Sequence, residues 1–301
     1  MGKIIMCSPF YNENLVANVY VNEGSKWADE IHITECNKSF QYGNHDYCFK
    51  LDRPNNKVHY HQLDGNNYYL KPIKRNRKYA LPHLLFRPVS RWMKHYCYDT
   101  AWYNEGVSRN HTLWNVDYDD DDILILSDID EIIDSRCADE IVSEAYKRGA
   151  VTVKIYFTMF YFNLFCKEWS GPEGYSYRIF AVRGDVMRNK FYNDSDFLRK
   201  RGERSLLINS IHCLEGYKGF HHSWLGDEQF VATKMMSYSH PKEWHNDSCF
   251  DSYGNPNIEA IKNLIKEGRP VFGDVRLEID KNIELMQSVE RIRNTESIHF
   301  I

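Results

Sequence analysis

A chain of 301 residues, 43% hydrophobic and 27% charged, carries enough apolar content for a core and suits one large domain or two small ones. Its net charge of −4 offers no basic field, which argues against nucleic acid or an anionic membrane as partner. No run reaches the roughly 18 apolar residues of a membrane span. The opening MGKIIMCSPF lacks the long apolar segment and cleavage site of a signal peptide, so the chain reads as soluble and cytoplasmic.

In chain order, KIIMCS is a short buried strand. NENLVANVYVNEGSKW places Leu15, Val16, Val19 and Tyr20 at helical spacing, with Asn12 as its expected N-cap. DEIHITE and NKVHYHQL return to strand. KPIKRNRK, residues 71–78, is a basic run, an exposed loop or an anion-attracting one. A long helix is expected from Ser90 to Trp114, followed by the strand DDILILSD and the helix CADEIVSEAYKRG, closed by Gly149. Strand–helix alternation of this kind predicts an α/β sheet with helices on its faces. The second half begins with VTVKIYFTMFYF, whose Val153, Ile155, Phe157 and Met159 alternate onto one face. YSYRIFAVRG and GFHHSW read as strands, and DEQFVATKMMSY and NPNIEAIKNLIKEG as helices, the first opening at Asp227. Eight scattered cysteines without a C-x-x-C pair argue against a zinc ribbon and for free thiols. The 21 Tyr and 7 Trp serve either as core or as stacking surface for a sugar or base.

The chemistry concentrates in LILSDIDEI, residues 124–132. In open α/β sheets, ligands bind beyond the carboxyl ends of the strands. Residues two apart on extended chain point the same way, so Asp128 and Asp130 share a side. Carboxylates so close repel unless a cation lies between them, and a hard divalent ion with open positions for a diphosphate meets that need. The alternative is the solvated end of a strand. A D-x-D phosphatase of the haloacid dehalogenase type is a poorer fit. Its motif continues with Gly and Thr near the start of the fold, whereas Glu131 and Ile132 follow here, after more than a hundred residues of α/β structure.

Four patches in order resemble glycosyltransferase family 17, the family of the β-1,4-mannosyl-glycoprotein N-acetylglucosaminyltransferase. They are SPFYNENLVANVYVNE, ITECNKSF, AWYNEGVSRNHTL leading into DDILILSDIDEI, and GFHHSWLGDEQFVATKMMSYSH. The resemblance implies a GT-A fold: a Rossmann-like, nucleotide-binding mixed sheet flanked by helices. It implies one domain over 1–301, with a nucleotide-sugar-binding half (1–135), an acceptor-side half (136–250) and a helical tail (251–301). It also implies inverting, metal-dependent transfer from a nucleotide-diphosphate sugar, a UDP-sugar by expectation, to a glycan or glycoprotein hydroxyl.

Under that resemblance Asp130 is a ligand of Mn2+ or Mg2+, and Asp128 lies on the metal or the donor ribose. His221 stands at the family's G-W-H position as a third ligand, with Phe220 in place of Trp and His222 as a competitor, or it is structural. Pro9, Phe10, Tyr11 and Asn12 would border the nucleotide. Glu35 would accept from uracil or ribose, or cap a turn. Arg109 and Asn110 match an R-N pair, and Arg109 would hold the diphosphate or pair with the acids. Asp227 and Glu228 are the candidates for general base, or they cap the helix they begin. Trp169, Gly171 and Arg178 would line the acceptor side. The family's eukaryotic members carry a Golgi membrane anchor that has no counterpart here, which points to a soluble bacterial or viral enzyme or to an excised domain. The competing function is a non-catalytic carbohydrate-binding protein of the same fold.

Overall fold

The computed structural model describes residues 2–71, 100–170, 178–204, 211–237 and 246–301. Ser90, Cys97, Gly171 and most of the basic run 71–78 lie outside these residues. A mixed sheet flanked by helices forms the centre. Its first half is parallel: β1 (Ile4–Phe10), β2 (Glu30–Cys36), β3 (Val58–Leu63) and β4 (Ile123–Leu126) stand in the order β3-β2-β1-β4. β1, β2 and β4 are buried along almost their whole length, which explains why they read as near-continuous apolar runs.

The second half turns antiparallel. β8 (Phe180–Arg183) pairs with β4 and with β6 (Ala150–Met159), and β7 (Leu164–Cys166) joins β6 to β10 (Glu278–Ile279) at the edge. β9 (His212–Ser223) runs parallel to β6 and also pairs antiparallel with β5 (Glu131–Ile133). β9 is longer than the expected GFHHSW, and β5 and β7 have too few residues to show a period.

Alternate residues of the parallel strands feed two apolar layers. Met6, Ile31, Ile33 and Ile125 pack with Val16 and Val19 of α1 (Asn14–Gly24) and with Ile141 and Ala145 of α3 (Ala138–Arg148). Ile5, Cys7, Leu124 and Leu126 pack on the other face. Their partners are Leu113 of α2 (Thr100–Trp114), Met187 of α4 (Gly184–Phe191) and Leu198 of α5 (Ser195–Arg204). α1 begins two residues after the expected cap. Asn12 instead takes a left-handed φ of 57°, and Glu13 precedes the helix without a capping side-chain bond.

A third apolar cluster joins Trp224, Val231 and Met235 around α6 (Glu228–Ser237) to Ile261 and Leu264 of α7 (Ile258–Lys266). The expected helical tail is helical in pieces. α7 gives way at Gly268 (φ 62°), Glu278 and Ile279 extend the sheet, and α8 (Gln287–Ile292) returns to the main core through Met286 and Val289. Buried Glu23 fastens that return, accepting from the Ser135 and Ser288 backbones and the Ser288 hydroxyl. The described cysteines are free thiols, and no described helix is long and apolar enough to cross a membrane.

Candidate active site

β1 and β4 lie side by side in parallel, so the turns that follow them meet at one end of the sheet. Asparagine tolerates the left-handed conformation of Asn12 better than most residues do, which lets the chain turn sharply from β1 into α1. A cleft, partly open to solvent, lies between these turns and α6. Pro9, Phe10, Tyr11, Asn12 and Glu13 line it from the first turn, and Asp128, Ile129 and Asp130 from the second. Phe40, Glu105, Phe230, Thr233, Lys234 and Ser237 complete the wall. Tyr11 packs on Phe40 and on the His45 ring, giving the cleft an aromatic side suited to a planar base.

On one side of the acidic turn, arginines saturate the carboxylates. Arg109 of α2 donates from Nε to Asp128 Oδ1 at 2.9 Å and from a terminal nitrogen to Oδ2 at 2.8 Å. The same nitrogen reaches Glu105, one helical turn earlier, at 2.9 Å. Arg199 of α5 lies 3.0 Å from Asp128 and holds Glu131 with two bonds of 2.7 and 2.9 Å. Glu131, 1% exposed, also accepts the Asp128 N–H. Although burial opposes it, the Arg109 and Arg199 guanidiniums hold the Asp128 carboxyl well below its ordinary range. Glu105 is pushed up to about 7 by burial, which Arg109 opposes and Asp128 reinforces.

Asp130 has other company. β5 and β9 pair with Glu131 opposite His221, and the His222 N–H donates to the Asp130 carbonyl at 2.8 Å. Glycine is required at 219 for this approach, since a Cβ there would stand 2.1 Å from the Ile132 carbonyl oxygen. The pairing delivers His221 Nε2 to 3.4 Å from Asp130 Oδ2. The Lys234 ammonium lies 3.5 Å from that oxygen and 2.6 Å from Glu13. Against burial, His221 and Lys234 hold Asp130 well below the usual carboxylate range. Glu13 and Asp130 raise Lys234 despite its burial. Glu13 itself is pushed up to about 7 by burial, with Lys234 pulling against and Asp130 adding to the rise.

Asp130, Glu131 and His221 each bring a donor atom within 4.8 Å of the others. Glu131 is spent on Arg199 and the Asp128 N–H, so the donors left for a cation are the Asp130 carboxylate and the His221 imidazole. That mixed oxygen–nitrogen pair fits a divalent ion that takes its other ligands from water or a diphosphate. His222 behind them is fully buried. Its Nδ1 meets the Thr158 hydroxyl at 2.7 Å, its Nε2 has no hydrogen-bond partner, and burial brings its pKa down to about 3.

Pro9 to Asn12, Asp128 and Asp130 line the cleft, and His221 adjoins Asp130. Glu35 does not reach it. The carboxylate is fully buried and accepts from His45, the Cys48 and Phe49 N–H groups and the Tyr60 hydroxyl, so its hydrogen bonds hold its own loop. Asn110 braces α2 against the start of α5, bonding Asp194 and the Asp196 N–H. Asp227 caps α6 by accepting the Phe230 N–H at 2.8 Å, and Glu228 lies 3.9 Å from Lys262; neither lines the cleft. Trp169 is buried and stacks on Phe272 at 5.0 Å. Arg178 lines a smaller adjoining hollow with Arg109 and Arg199.

Glu13, Glu105, Arg199 and Lys234 were not singled out from sequence. The Glu105–Arg109 spacing of four on a helix was a readable signal, and Glu13 sat within the F-Y-N-E turn. Arg199 pairs across 68 residues and left none.

No protein-family model and no curated protein sequence matches the chain. Among solved structures, the crystal structure of S. aureus TarS 1–349 is similar over 80% of this chain and 67% of that one, at 11% identity and a TM-score of 0.38. At that distance the likeness carries neither fold nor chemistry to this protein.

Proposed function

We propose that this protein is a metal-dependent, inverting glycosyltransferase that moves a sugar from a nucleotide-diphosphate donor, a UDP-sugar by preference, to a glycan hydroxyl. The observation that carries this reading is the meeting of Asp130 and His221 on the cleft beyond the carboxyl ends of β1 and β4. Asp130 and His221 would hold Mn2+ or Mg2+, which supplies Lewis-acid stabilisation of charge on the leaving diphosphate. The chain does the rest. Tyr11 and Phe40 offer stacking for the base. Lys234 adds a second positive charge beside the leaving group, where a low-dielectric wall strengthens it.

Asp128 belongs to positioning: clamped by Arg109 and Arg199, it holds the turn so that Asp130 faces the cleft. For the proton of the acceptor hydroxyl, Glu13 is a better general base than Asp227 or Glu228. It lines the cleft, and burial raises its carboxyl above the ordinary range, which strengthens it as a base. The family 17 resemblance supports the same reaction class. The test is turnover of a panel of nucleotide sugars with Mn2+ by the wild type and Asp130→Ala. Transfer or donor hydrolysis by the wild type alone is expected; equal turnover by both proteins would overturn the reading.

A further inference from the structure

A second cluster of donors lies on the parallel edge of the sheet, built from strand register. His32 of β2 stands opposite His59 of β3, and parallel pairing points both side chains to the same face. Glu30 and His61, each two residues along its own strand, share that face. The rings of His32 and His59 stack at 4.6 Å, and Glu30 Oε2 lies 3.2 Å from His32 Nε2. On the other edge of the same ring, His32 Nδ1 lies 2.9 Å from His61 Nε2. Glu30, His32 and His59 each offer a ligand atom within 4.8 Å of the others.

We propose that Glu30, His32 and His59 bind one divalent transition-metal ion, with zinc as the expected occupant. Two imidazoles and a carboxylate form a three-ligand zinc set, with the fourth position left to water. His61 completes the arrangement from behind. On metal binding, His32 can donate its Nδ1–H to His61 Nε2, which leaves Nε2 to ligate, as outer-shell partners of metal-bound histidines do. Lys3 bonds the opposite oxygen of Glu30, Oε1, so Oε2 stays available. The set mixes depths: His32 is 5% exposed and His59 is open to solvent, giving a fixed inner ligand and an entry path. Its nitrogen-rich donors favour zinc, nickel or copper over the manganese or magnesium proposed for Asp130. The site is independent of the glycosyltransferase reading. It lies nearer the amino ends of the strands, with Glu30 first in β2 and His32 level with Cys7, two residues short of the cleft at Pro9.

The test titrates zinc chloride against a chromophoric chelator into the full chain carrying Asp130→Ala, so that the cleft cannot compete. The expected result is one equivalent bound tightly, weakened more than tenfold by adding His59→Ala and about 10- to 100-fold by adding His61→Ala. His59 is exposed on the edge strand, so its replacement leaves the fold intact, and matching thermal melts without metal check this. Zinc bound as tightly after His59→Ala as before, or no zinc bound by the parent, would overturn the proposal. Either result would leave the glycosyltransferase reading, which rests on Asp130 and His221, standing.

Discussion

The two sides of the acidic turn are built from the same residue types and held in opposite ways. Asp128 and Glu131 are saturated by Arg109 and Arg199, with guanidinium forks matched to carboxylate oxygens. Asp130, between them in sequence, faces an imidazole at 3.4 Å and an ammonium at 3.5 Å, both too long for strong bonds. An acid whose partners are fully committed builds the fold; one with loose partners on a cleft can exchange them for a ligand. Proximity to a D-x-D motif does not assign a role; the count of committed partners does.

The largest effect should come from the saturated side. Arg199→Met leaves Glu131 buried without its counter-charge and should cost about 3–5 kcal/mol of stability in urea unfolding. A loss below about 1 kcal/mol would dissolve the contrast. On the open side, Asp130→Asn should cost less stability than Arg199→Met while lowering sugar transfer about 100-fold or more. Equal damage to stability and activity would put Asp130 with its neighbours.

His222, behind Asp130, sharpens the comparison through pH. Its folded pKa near 3 lies below the ordinary value of 6.5, so the unfolded chain takes up the proton first as pH falls. Its contribution is complete above about pH 6.5 and declines towards pH 3, by about 2 kcal/mol between pH 7 and pH 5. Urea titrations across that range should show the wild type losing this much more than His222→Asn. Identical slopes would mean that the buried ring is not held neutral.

The smallest effects belong to the start of α6. Asp227→Ala should cost about 1 kcal/mol as a lost cap. Glu228→Gln should change stability by less than about 0.5 kcal/mol and leave transfer unchanged. A hundredfold fall in transfer with Glu228→Gln would return the general base to that residue and remove it from Glu13.

Much of this was readable in the residues. The apolar runs within 4–10, 30–36 and 123–126 read as strands of an α/β sheet, and the turn after the third declared the acids. The G-F-H-H-S-W patch located His221, although the reason, β9 pairing with β5, is a contact between distant segments that no local pattern encodes. The same limit hid Arg199 and Lys234, whose partners lie 68 and 104 residues away. Glu35 misled because a strand-end acid looks the same whether it awaits a ligand or ties down its own loop; only the bonds from Cys48, Phe49 and Tyr60 separate the two.

We propose that Asp130, unlike Asp128 and Glu131, holds a cation for a nucleotide diphosphate. Calorimetric titration of UDP into the wild type and Asp130→Asn, each with and without Mn2+, tests it most directly. Manganese-dependent binding by the wild type should disappear in Asp130→Asn while that variant stays folded. UDP binding of equal strength in all four titrations would contradict it.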